Sequence, residues 1–236
     1  MKIILFGATG MVGQGVLREC LLDPEVTRVL SVGRGKLPPG TLGRLGSESQ
    51  ASKLREIIHQ DFANFSSLEG DWKGYDACFF CMGVSSVGLS EETYRHLTYD
   101  FALAAGGLLA RLNPGMTFIY VSGAGTDSTE KGKVMWARVK GGTENALLAL
   151  PFKAAYMFRP GLIQPMDGIL PRNRWLGVLL TRLGFLIILL RALFPRYVTT
   201  TRLIGRAMLN AARNGFSKKW VESWDINELG QTPIQD

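Results

Sequence analysis

The sequence predicts an α/β protein: a doubly wound parallel sheet, with helices on both faces and a small helical cap near the C-terminus. Three observations support this fold class. Through the first 160 residues, short apolar runs alternate with segments of helical periodicity, as in a parallel sheet covered by helices. The 236 residues are 46% hydrophobic and 20% charged, which excludes disordered, collagen-like and disulfide-rich classes. After residue 161 the alternation stops, and the chain becomes apolar and basic.

Six strands are predicted where short buried runs occur, near 2–6, 27–32, 54–59, 76–82, 116–121 and 154–158. Helical periodicity predicts helices near 11–22, 91–112 and 132–149. The stretch 35–52 is rich in Gly, Pro and Ser, so we expect a long surface loop there. A last helix near 199–213 and a short strand near 219–223 complete the predicted elements.

A glycine-rich motif follows the first predicted strand and opens the first predicted helix. Gly7, Gly10 and Gly13 have the spacing that allows a tight turn, close approach of the backbone to a pyrophosphate and close helix–strand packing. Free N–H groups and the dipole at the start of the helix attract phosphates. The motif therefore predicts a dinucleotide site of the Rossmann type, with a purely structural turn as the alternative. The predicted cofactor contacts here are Gly7, Thr9, Gly10, Met11, Val12 and Gly13.

The end of the second predicted strand bears on which nicotinamide dinucleotide is bound. A carboxylate there accepts a hydrogen bond from the adenosine 2′-hydroxyl, whereas a basic residue pairs with a 2′-phosphate. This segment has no acidic residue and contains Arg34 and Lys36. Because Arg binds phosphate bidentately, NADP(H) is the preferred cofactor and NAD(H) remains an alternative. A solvated surface side chain is the other interpretation of Arg34.

Two further strand ends supply predicted cofactor contacts. Asp61 and Phe62 follow the third strand, where Asp61 either reaches the adenine amino group or caps the next turn. Cys81, Met82 and Gly83 end the fourth strand, where the backbone is expected to pass the ribose and pyrophosphate. We therefore expect one domain, with an NAD(P)-binding part at 1–165 and a substrate-side helical cap at 166–236.

Five motifs together resemble the atypical short-chain dehydrogenase/reductases. They are Gly-Ala-Thr-Gly-Met-Val-Gly at 7–13, Cys-Met-Gly at 81–83, Val-Ser-Gly at 121–123, Val-Lys-Gly at 139–141 and Phe-Arg-Pro-Gly at 158–161. The nearest resemblance is to the group around the Tat-interacting protein, described as an oxidoreductase and tumour suppressor. It covers about residues 1–165 and implies a Rossmann fold, an NAD(P) cofactor and an oxidoreductase activity.

The resemblance also implies roles for individual residues. Ser122 matches the serine that polarises the substrate carbonyl, and Lys140 matches the lysine that holds the nicotinamide ribose. Both are therefore candidate catalytic residues, and Lys140 is also a candidate cofactor contact. Pro160, Gly161 and Leu162 match the segment whose backbone meets the carboxamide.

Trp136 occupies the position of the tyrosine that donates a proton in this superfamily. An indole N–H donates hydrogen bonds but is far too weak an acid for general acid–base catalysis, so we expect Trp136 in the wall of the substrate pocket. The sequence therefore favours a reductase of a small carbonyl substrate, in which Ser122, Lys140 or water replaces the tyrosine. A non-catalytic NADP(H)-binding sensor or protein-interaction module is the alternative.

Cysteine and histidine spacings give little support to metal or redox chemistry. Cys78 and Cys81 form a C-x-x-C pair within a predicted strand, where positions three apart face opposite sides. With Cys20 the count is odd, and structural disulfides are not expected. His59 and His96 have neither metal-ligand nor catalytic-triad spacing. No metal site is predicted.

The net charge of +7 comes from the C-terminal third. Residues 1–150 hold 15 basic and 15 acidic side chains, whereas 172–219 holds ten basic ones and no acidic one. This imbalance indicates an anionic substrate, an acidic partner or a membrane-facing lid. Nucleic acid is not expected, because the chain has no recognised binding motif.

The apolar segment 175–194 is interrupted by arginines, and its longest uncharged run is eight residues, whereas a bilayer span needs about 20. Two short helices forming a lid or a homodimer contact fit this segment better, and peripheral membrane contact through 172–219 stays open. The chain opens on Met-Lys and enters a predicted strand at Ile3, which leaves no room for a signal peptide. A cytoplasmic location is therefore expected.

Overall fold

The computed structural model describes residues 1–169, 193–194 and 196–232. The two short helices predicted within 175–194 fall outside the described residues, apart from positions 193 and 194. Of the stretch 172–219, to which a peripheral membrane contact is assigned, residues 172–192 and 195 fall outside them as well. The boundary between 165 and 166 stays a prediction.

The described strands, in chain order, are β1 Lys2–Phe6, β2 Arg28–Gly33, β3 Leu54–Ile58, β4 Ala77–Phe80, β5 Thr117–Val121, β6 Ala154–Arg159, β7 Leu162–Gln164, β8 Val198–Thr200 and β9 Trp220–Glu222. Seven of them form one sheet in the order β3-β2-β1-β4-β5-β6-β9, and every pairing in it is parallel. β7 and β8 form a separate parallel pair. The order reverses between β1 and β4, as in doubly wound dinucleotide-binding folds. The predicted fold class is confirmed.

The described helices are α1 Met11–Leu22, α2 Thr41–Arg44, α3 Glu91–Arg95, α4 Phe101–Leu112, α5 Met135–Leu148, α6 Thr201–Asn214 and α7 Ser223–Gln231. A π-helical turn, His96–Asp100, joins α3 to α4, so the helix predicted at 91–112 forms with one irregular turn. All seven predicted strands, including the short one near 219–223, and the helices at 11–22, 132–149 and 199–213 are confirmed within a few residues. Local periodicity sets these elements, whereas their ends depend on capping.

The sheet separates two apolar layers, because successive side chains of a strand point to opposite faces. On β1, Ile3 and Leu5 pack in the layer formed with α1, α6 and α7. Ile4 and Phe6 pack in the opposite layer, formed with α4 and α5. Both faces of the central strands are therefore buried, which is typical of a parallel sheet.

The cysteines follow the same alternation. Cys78 packs in the α4–α5 layer and Cys81 against the α1–α6 layer, so the C-x-x-C thiols face opposite sides, as predicted. Burial raises the pKa of the thiols of Cys20, Cys78 and Cys81, which keeps them protonated and unreactive. Within residues 1–169, 193–194 and 196–232, no group of three or more His, Cys, Asp or Glu side chains is placed to hold a metal ion.

The stretch 35–52 is largely exposed, as predicted, but it is not an unbroken loop. α2 and a 3-10 turn at Glu48–Lys53 lie within or overlap this stretch, and Thr41, Leu45 and Ser47 are buried. The Thr41 hydroxyl donates to the Pro38 carbonyl at 2.6 Å. Gly and Pro favour turns, but they do not prevent a single helical turn that buried side chains hold in place.

The C-terminal third packs directly on the first helix. A Cβ built at Gly15 of α1 would lie 2.6 Å from Thr201 Cβ, and one at Gly205 of α6 would lie 3.1 Å from the Gly15 carbonyl oxygen. Helices approach this closely only where small residues face each other. α7, which the periodicity did not predict, begins at a capping box formed by Glu222 and Asp225. Among the helices in the described part of the chain, none combines the length and apolar character needed to cross a bilayer.

Ion pairs balance part of the positive charge of the acid-free stretch 172–219. Six of its ten basic residues are described, and four of these six pair with carboxylates that lie outside the stretch. The pairs are Arg202 with Asp167, Arg206 with Glu19, Arg213 with Asp23, and Lys218 with Asp225. At these positions the fold itself supplies the anionic partner. Arg172, Arg174, Arg182 and Arg191 lie outside the described residues.

Candidate functional site: a cleft at the sheet's switch point

A cavity of about 820 Å³ opens where β1, β2 and β4 end. This is the edge of the sheet at which the strand order reverses, and ligands bind there in open α/β folds. The lining residues come from the glycine-rich turn, the end of β2, the chain up to α2, and the segments after β3 and β4. They are Gly7, Ala8, Thr9, Gly10, Gln14, Ser31, Val32, Gly33, Arg34, Gly35, Lys36, Pro38, Arg44, Phe62, Cys81, Met82 and Gly83.

The glycine-rich turn forms a cradle that any side chain would fill. Gly7 has φ +83°, and a Cβ there would lie 2.7 Å from the Cys81 carbonyl carbon and the Met82 nitrogen. A Cβ at Gly13 would lie 2.0 Å from the Gly7 carbonyl oxygen, so α1 starts in direct contact with the turn. The Gly10 N–H donates to Gly7 O at 2.9 Å. This backbone fits a pyrophosphate at the N-terminus of α1.

Three cations line the same cavity. Arg34 and Lys36 follow β2 as predicted, and Arg44 reaches the cavity from α2. The Arg44 guanidinium donates to Thr41 Oγ1 at 3.1 Å, which orients it. Among the described lining residues there is no Asp or Glu. The sequence analysis missed Arg44, because it assigned this stretch to a surface loop.

Nine of the predicted cofactor contacts line this cavity: Gly7, Thr9, Gly10, Arg34, Lys36, Phe62, Cys81, Met82 and Gly83. Met11, Val12 and Gly13 form the first turn of α1, beside the cavity. Asp61 is not a lining residue. Its carboxylate accepts a hydrogen bond from the Ala63 N–H at 3.0 Å, so it caps the following turn, the alternative left open for it.

The segment Pro160–Leu162 uses its backbone groups within the protein. The Gly161 N–H donates to Ser223 Oγ at 2.7 Å, and the Leu162 N–H donates to the Tyr197 carbonyl at 3.0 Å. The Pro160 carbonyl accepts from the Ala124 N–H at 2.9 Å. The two amides tie β7 to the C-terminal third, and none of the three residues lines the cavity.

The two candidate catalytic residues belong to a second group of side chains, the Glu144 cluster, made of Ser122, Lys140, Glu144 and Arg159. Ser122 Oγ donates to Glu144 Oε1 at 2.5 Å, and Lys140 Nζ donates to the Ser122 carbonyl at 2.5 Å. Arg159 Nε donates to both Glu144 oxygens, at 3.0 and 3.2 Å. Its Nη2 also contacts Glu144 Oε2. Ser122 and Glu144 are buried.

Burial has a direct effect on the charge of Lys140. It lowers the pKa of the amine to about 8, while the negative charge of Glu144 opposes that shift. The sequence analysis missed Glu144 and Arg159, although the four-residue spacing of Lys140 and Glu144 on a helix places them on one face. Nothing in the sequence pairs Glu144 with Arg159, because the latter lies on a different element.

Trp136 lies one helical turn before Lys140 on α5. A Cβ at Gly125 would lie 3.7 Å from Trp136 Cη2, so the indole packs against the loop that follows β5. It does not line the cavity. Whether it borders a substrate pocket therefore remains a prediction.

No family model matches the chain. It is 28% identical over 165 residues to "Protein fmp52, mitochondrial" of Emericella nidulans, covering 69% of this chain and 66% of that protein. It is 24% identical over 162 residues to "Protein HTATIP2" of Rattus norvegicus, covering 69% and 62%. With "Protein FMP52-1, mitochondrial" of Scheffersomyces stipitis it is 26% identical over 242 residues, covering 97% and 98%. The chain thus matches slightly less than two thirds of the first two relatives and nearly all of the third.

Solved structures show the same fold. An oxidoreductase of the short chain dehydrogenase/reductase family from Burkholderia thailandensis superposes with a TM-score of 0.65 at 12% identity, covering 95% of this chain and 92% of that one. Vestitone reductase from alfalfa superposes with a TM-score of 0.64 at 16% identity, covering 93% and 75%. The relatives confirm the resemblance to the group around the Tat-interacting protein, and the solved structures confirm the fold of the short-chain dehydrogenase/reductases.

The expected cytoplasmic location is contradicted by these relatives. The FMP52 proteins of Emericella nidulans, Scheffersomyces stipitis and Chaetomium globosum are all named as mitochondrial. The expectation followed from the lack of a signal peptide, which bears on secretion alone.

Proposed function

We propose that this chain, a relative of the FMP52 and HTATIP2 proteins with the short-chain dehydrogenase/reductase fold, binds NADP(H) in the cavity beside the glycine-rich turn. One observation carries the proposal: a cradle that only glycine backbone permits lies in the same cavity as three cations. The cradle fits the pyrophosphate of either nicotinamide dinucleotide. The cations favour the phosphorylated one.

The cations Arg34, Lys36 and Arg44 suit the adenosine 2′-phosphate. Two guanidinium groups and one ammonium offer several charge-assisted hydrogen bonds to a dianion. The same residues give an adenosine 2′-hydroxyl no carboxylate acceptor, which is the group that usually selects NAD(H). Phe62 lines the same cavity and offers an apolar surface to the adenine.

Binding of NADPH and NADH to the wild type and to Arg34→Ala and Arg44→Ala tests this assignment. Each substitution should weaken NADPH binding by about 10- to 100-fold, since a hydrogen bond to a charged group contributes about 1.5–3 kcal/mol. NADH binding should change little. Arg55→Ala is the control, because Arg55 lies on β3, pairs with Asp71 at 2.7 Å and does not line the cavity. NADPH affinity no tighter than millimolar, or equal losses for both cofactors, would refute the proposal.

As for activity, we propose reduction of a small carbonyl substrate. Bound NADPH would supply the hydride, and the protein must supply a hydrogen-bond donor and a proton to the carbonyl oxygen. The superfamily tyrosine is absent, and Trp136 cannot act as the acid. Lys140 is the candidate with a proton to give near neutral pH, since the pKa of its amine is about 8.

A panel of aldehydes, ketones and quinones, with NADPH oxidation as the readout, tests for reduction. We expect turnover in the wild type that Lys140→Met abolishes and that Trp136→Tyr increases by restoring the superfamily acid. Lys131→Met is the control, because Lys131 is an exposed lysine of the loop before α5. Turnover that Lys140→Met leaves intact would contradict the assignment.

The alternative is a non-catalytic NADP(H) sensor or interaction module. The specific observation in its favour is that Ser122 donates its hydroxyl proton to Glu144 while a tryptophan stands in the tyrosine position. NADPH binding with no wild-type turnover, but with turnover in Trp136→Tyr, would support this alternative.

The names of the FMP52 relatives favour a mitochondrial location for this chain as well. Fractionation of cells that express the tagged chain tests it. Recovery of the chain with mitochondrial markers is expected, whereas recovery in the soluble fraction alone would contradict the inference.

A further inference from the structure

Glu144 is a buried carboxylate that the proposed cofactor site does not use. We propose that Glu144 is a positioning residue: it accepts the hydrogen bond of the Ser122 hydroxyl, so that this hydroxyl cannot donate to a substrate, and it holds Lys140 as the ammonium that donates instead. This inference names the proton donor of the proposed reductase and therefore rests on the proposed function.

The Ser122 hydroxyl has one proton, and the geometry shows where it goes. Its Oγ lies 2.5 Å from Glu144 Oε1 but 3.2 Å from the Phe158 carbonyl, and an anionic acceptor forms the stronger hydrogen bond. Arg159 donates to both Glu144 oxygens, and a carboxylate that is paired in this way accepts hydrogen bonds and does not donate them. Ser122 Oγ is therefore left with only acceptor lone pairs for any further hydrogen bond. It cannot polarise a carbonyl in the way the superfamily serine does.

The Lys140 ammonium has more N–H donors than its hydrogen bond to the Ser122 carbonyl uses. One N–H bonds to the Ser122 carbonyl at 2.5 Å, and an ammonium has three. Two N–H groups are left for a ribose hydroxyl and a substrate oxygen. Glu144 lies one turn further along α5 on the same face, and its negative charge favours the ammonium form, whereas burial favours the neutral amine.

Among the charged groups around the Glu144 cluster, Glu144 is the carboxylate whose negative charge raises the pKa of Lys140. Arg159 faces Glu144 from β6, and Glu222 on β9 lies 3.6 Å from the far side of that guanidinium. Tyr120 on β5 lies near Glu144, and burial raises the pKa of its hydroxyl, so it stays neutral. Glu222 contacts the same arginine without touching Lys140 or Ser122, which makes it a matched control.

The proposed reduction adds one hydride to the carbonyl carbon and one proton to the carbonyl oxygen. Bound NADPH would supply the hydride to the carbonyl carbon, and the π electron pair would move to the oxygen. An O–H bond forms there as an N–H bond of the Lys140 ammonium breaks. The neutral amine that remains takes a proton from water before the next turnover.

The first test follows the titration of Lys140 directly and needs neither activity nor cofactor. Protein labelled with ¹³C at the lysine Cε is titrated by NMR, with the Lys140 signal assigned from Lys140→Arg. The wild-type midpoint is expected near pH 8. In Glu144→Gln it should fall by about one pH unit, since a lost neighbouring charge typically has an effect of this size. Glu144→Asp, which keeps the charge, should restore most of the difference.

Glu222→Gln should leave the Lys140 midpoint where it is in the wild type. A midpoint that does not move in Glu144→Gln, or that moves equally in Glu222→Gln, would overturn the proposal. This result does not depend on whether the chain binds NADPH or reduces a carbonyl, so the proposed function can fail separately.

The second test uses turnover and holds even where Glu144→Gln does not fold. With a substrate found in the carbonyl panel, Lys140→Met should lower kcat about 100-fold or more, the usual range for a lost general acid. Ser122→Ala should lower kcat about tenfold at most. In the wild type, kcat should fall as the pH rises above about 8, and in Glu144→Asp at a similar pH. A larger loss in Ser122→Ala than in Lys140→Met would assign the donor role to Ser122 and refute the inference.

Discussion

Gly13 shows how a missing side chain shapes the candidate site. The first turn of α1 lies so close to the glycine-rich turn that a Cβ at Gly13 would be 2.0 Å from the Gly7 carbonyl oxygen. No rotation of a side chain relieves a contact between backbone atoms. By contrast, a Cβ at Gly35, which lines the cavity itself, would meet nothing within 4 Å. Gly13 is therefore needed for the close contact between α1 and the glycine-rich turn, whereas Gly35 is needed for no such contact.

We expect Gly13→Ala to lower the free energy of unfolding by more than about 2 kcal/mol, because α1 must move away from β1. NADPH binding should weaken in parallel as the phosphate cradle opens. Gly35→Ala is the matched control and should change the free energy of unfolding by about 0.5 kcal/mol at most. Urea unfolding and NADPH titration of both variants check this. Equal free energies of unfolding and equal NADPH affinities for Gly13→Ala and Gly35→Ala would show that the close approach at Gly13 is relieved at little cost.

Lys140 makes the stability of the protein depend on pH in a defined direction. Its pKa of about 8 in the folded state lies below the usual 10.5, so between these pH values the unfolded chain binds more protons. Stability then rises with pH across this window, and the cost of burying the ammonium is fully present below pH 8. Lys140→Met removes that cost.

The variant Lys140→Met should be more stable than the wild type by about 1–2 kcal/mol at pH 7, a value reduced because the side chain keeps some exposure. The difference should shrink by pH 10, as the wild type loses the buried charge. Urea unfolding of both proteins at the two pH values measures it. The same difference in free energy of unfolding at pH 7 and at pH 10 would contradict the pKa of about 8 assigned to Lys140. Comparing the pair cancels the effects of the buried cysteines and tyrosines.

At the scale of elements, the contact between α1 and α6 joins the two ends of the chain. It forms through Gly15 and Gly205, at which a Cβ would meet Thr201 or Glu19 at less than 3 Å. α6 begins at Thr200, whose side chain accepts a hydrogen bond from the Leu203 N–H. The helix therefore has its own start signal, but its place beside α1 depends on glycines that lie almost 200 residues apart.

Gly15→Ala should cost about 2 kcal/mol of stability, because the new methyl group forces the two helices apart. Gly107→Ala on α4 is the control, since a Cβ there would meet nothing within 4 Å. It should instead gain up to about 1 kcal/mol from the better helix propensity of alanine. Thermal and urea unfolding of the two variants give the sign of each effect. A stabilising Gly15→Ala would show that the helices are not in close contact.

At the scale of the whole molecule, the C-terminal third is held to the rest by arginines that reach buried carboxylates. Arg213 binds Asp23 at 3.0 Å and Glu25 at 2.8 Å, and the Asp23 side chain is 1% exposed. Arg213 and Asp23 lie 190 residues apart in the sequence. The long-range pairs explain why the acid-free stretch does not need an external anion at each basic residue.

Asp23→Asn should lower the free energy of unfolding by about 2–3 kcal/mol, because it leaves the guanidinium of Arg213 with one carboxylate in a largely buried site. Glu69→Gln breaks the exposed pair with Arg111 and should cost less than about 1 kcal/mol. Urea unfolding at neutral pH distinguishes them. Similar small losses would show that Asp23 contributes no more than a surface ion pair.

The sequence by itself determined the parts of this protein that depend on local order: seven strands, most of the helices in the described part of the chain, and nine of the residues around the cavity. These follow from periodicity and from short motifs at the ends of individual strands, each of which needs only neighbouring residues. Only the tertiary structure decided the partners of the charged side chains: Arg44 in the cavity, Glu144 with Arg159, and Arg213 with Asp23. The physical reason is that a buried charge must find its partner in space, and which residues are near in space depends on the order in which the strands and helices pack.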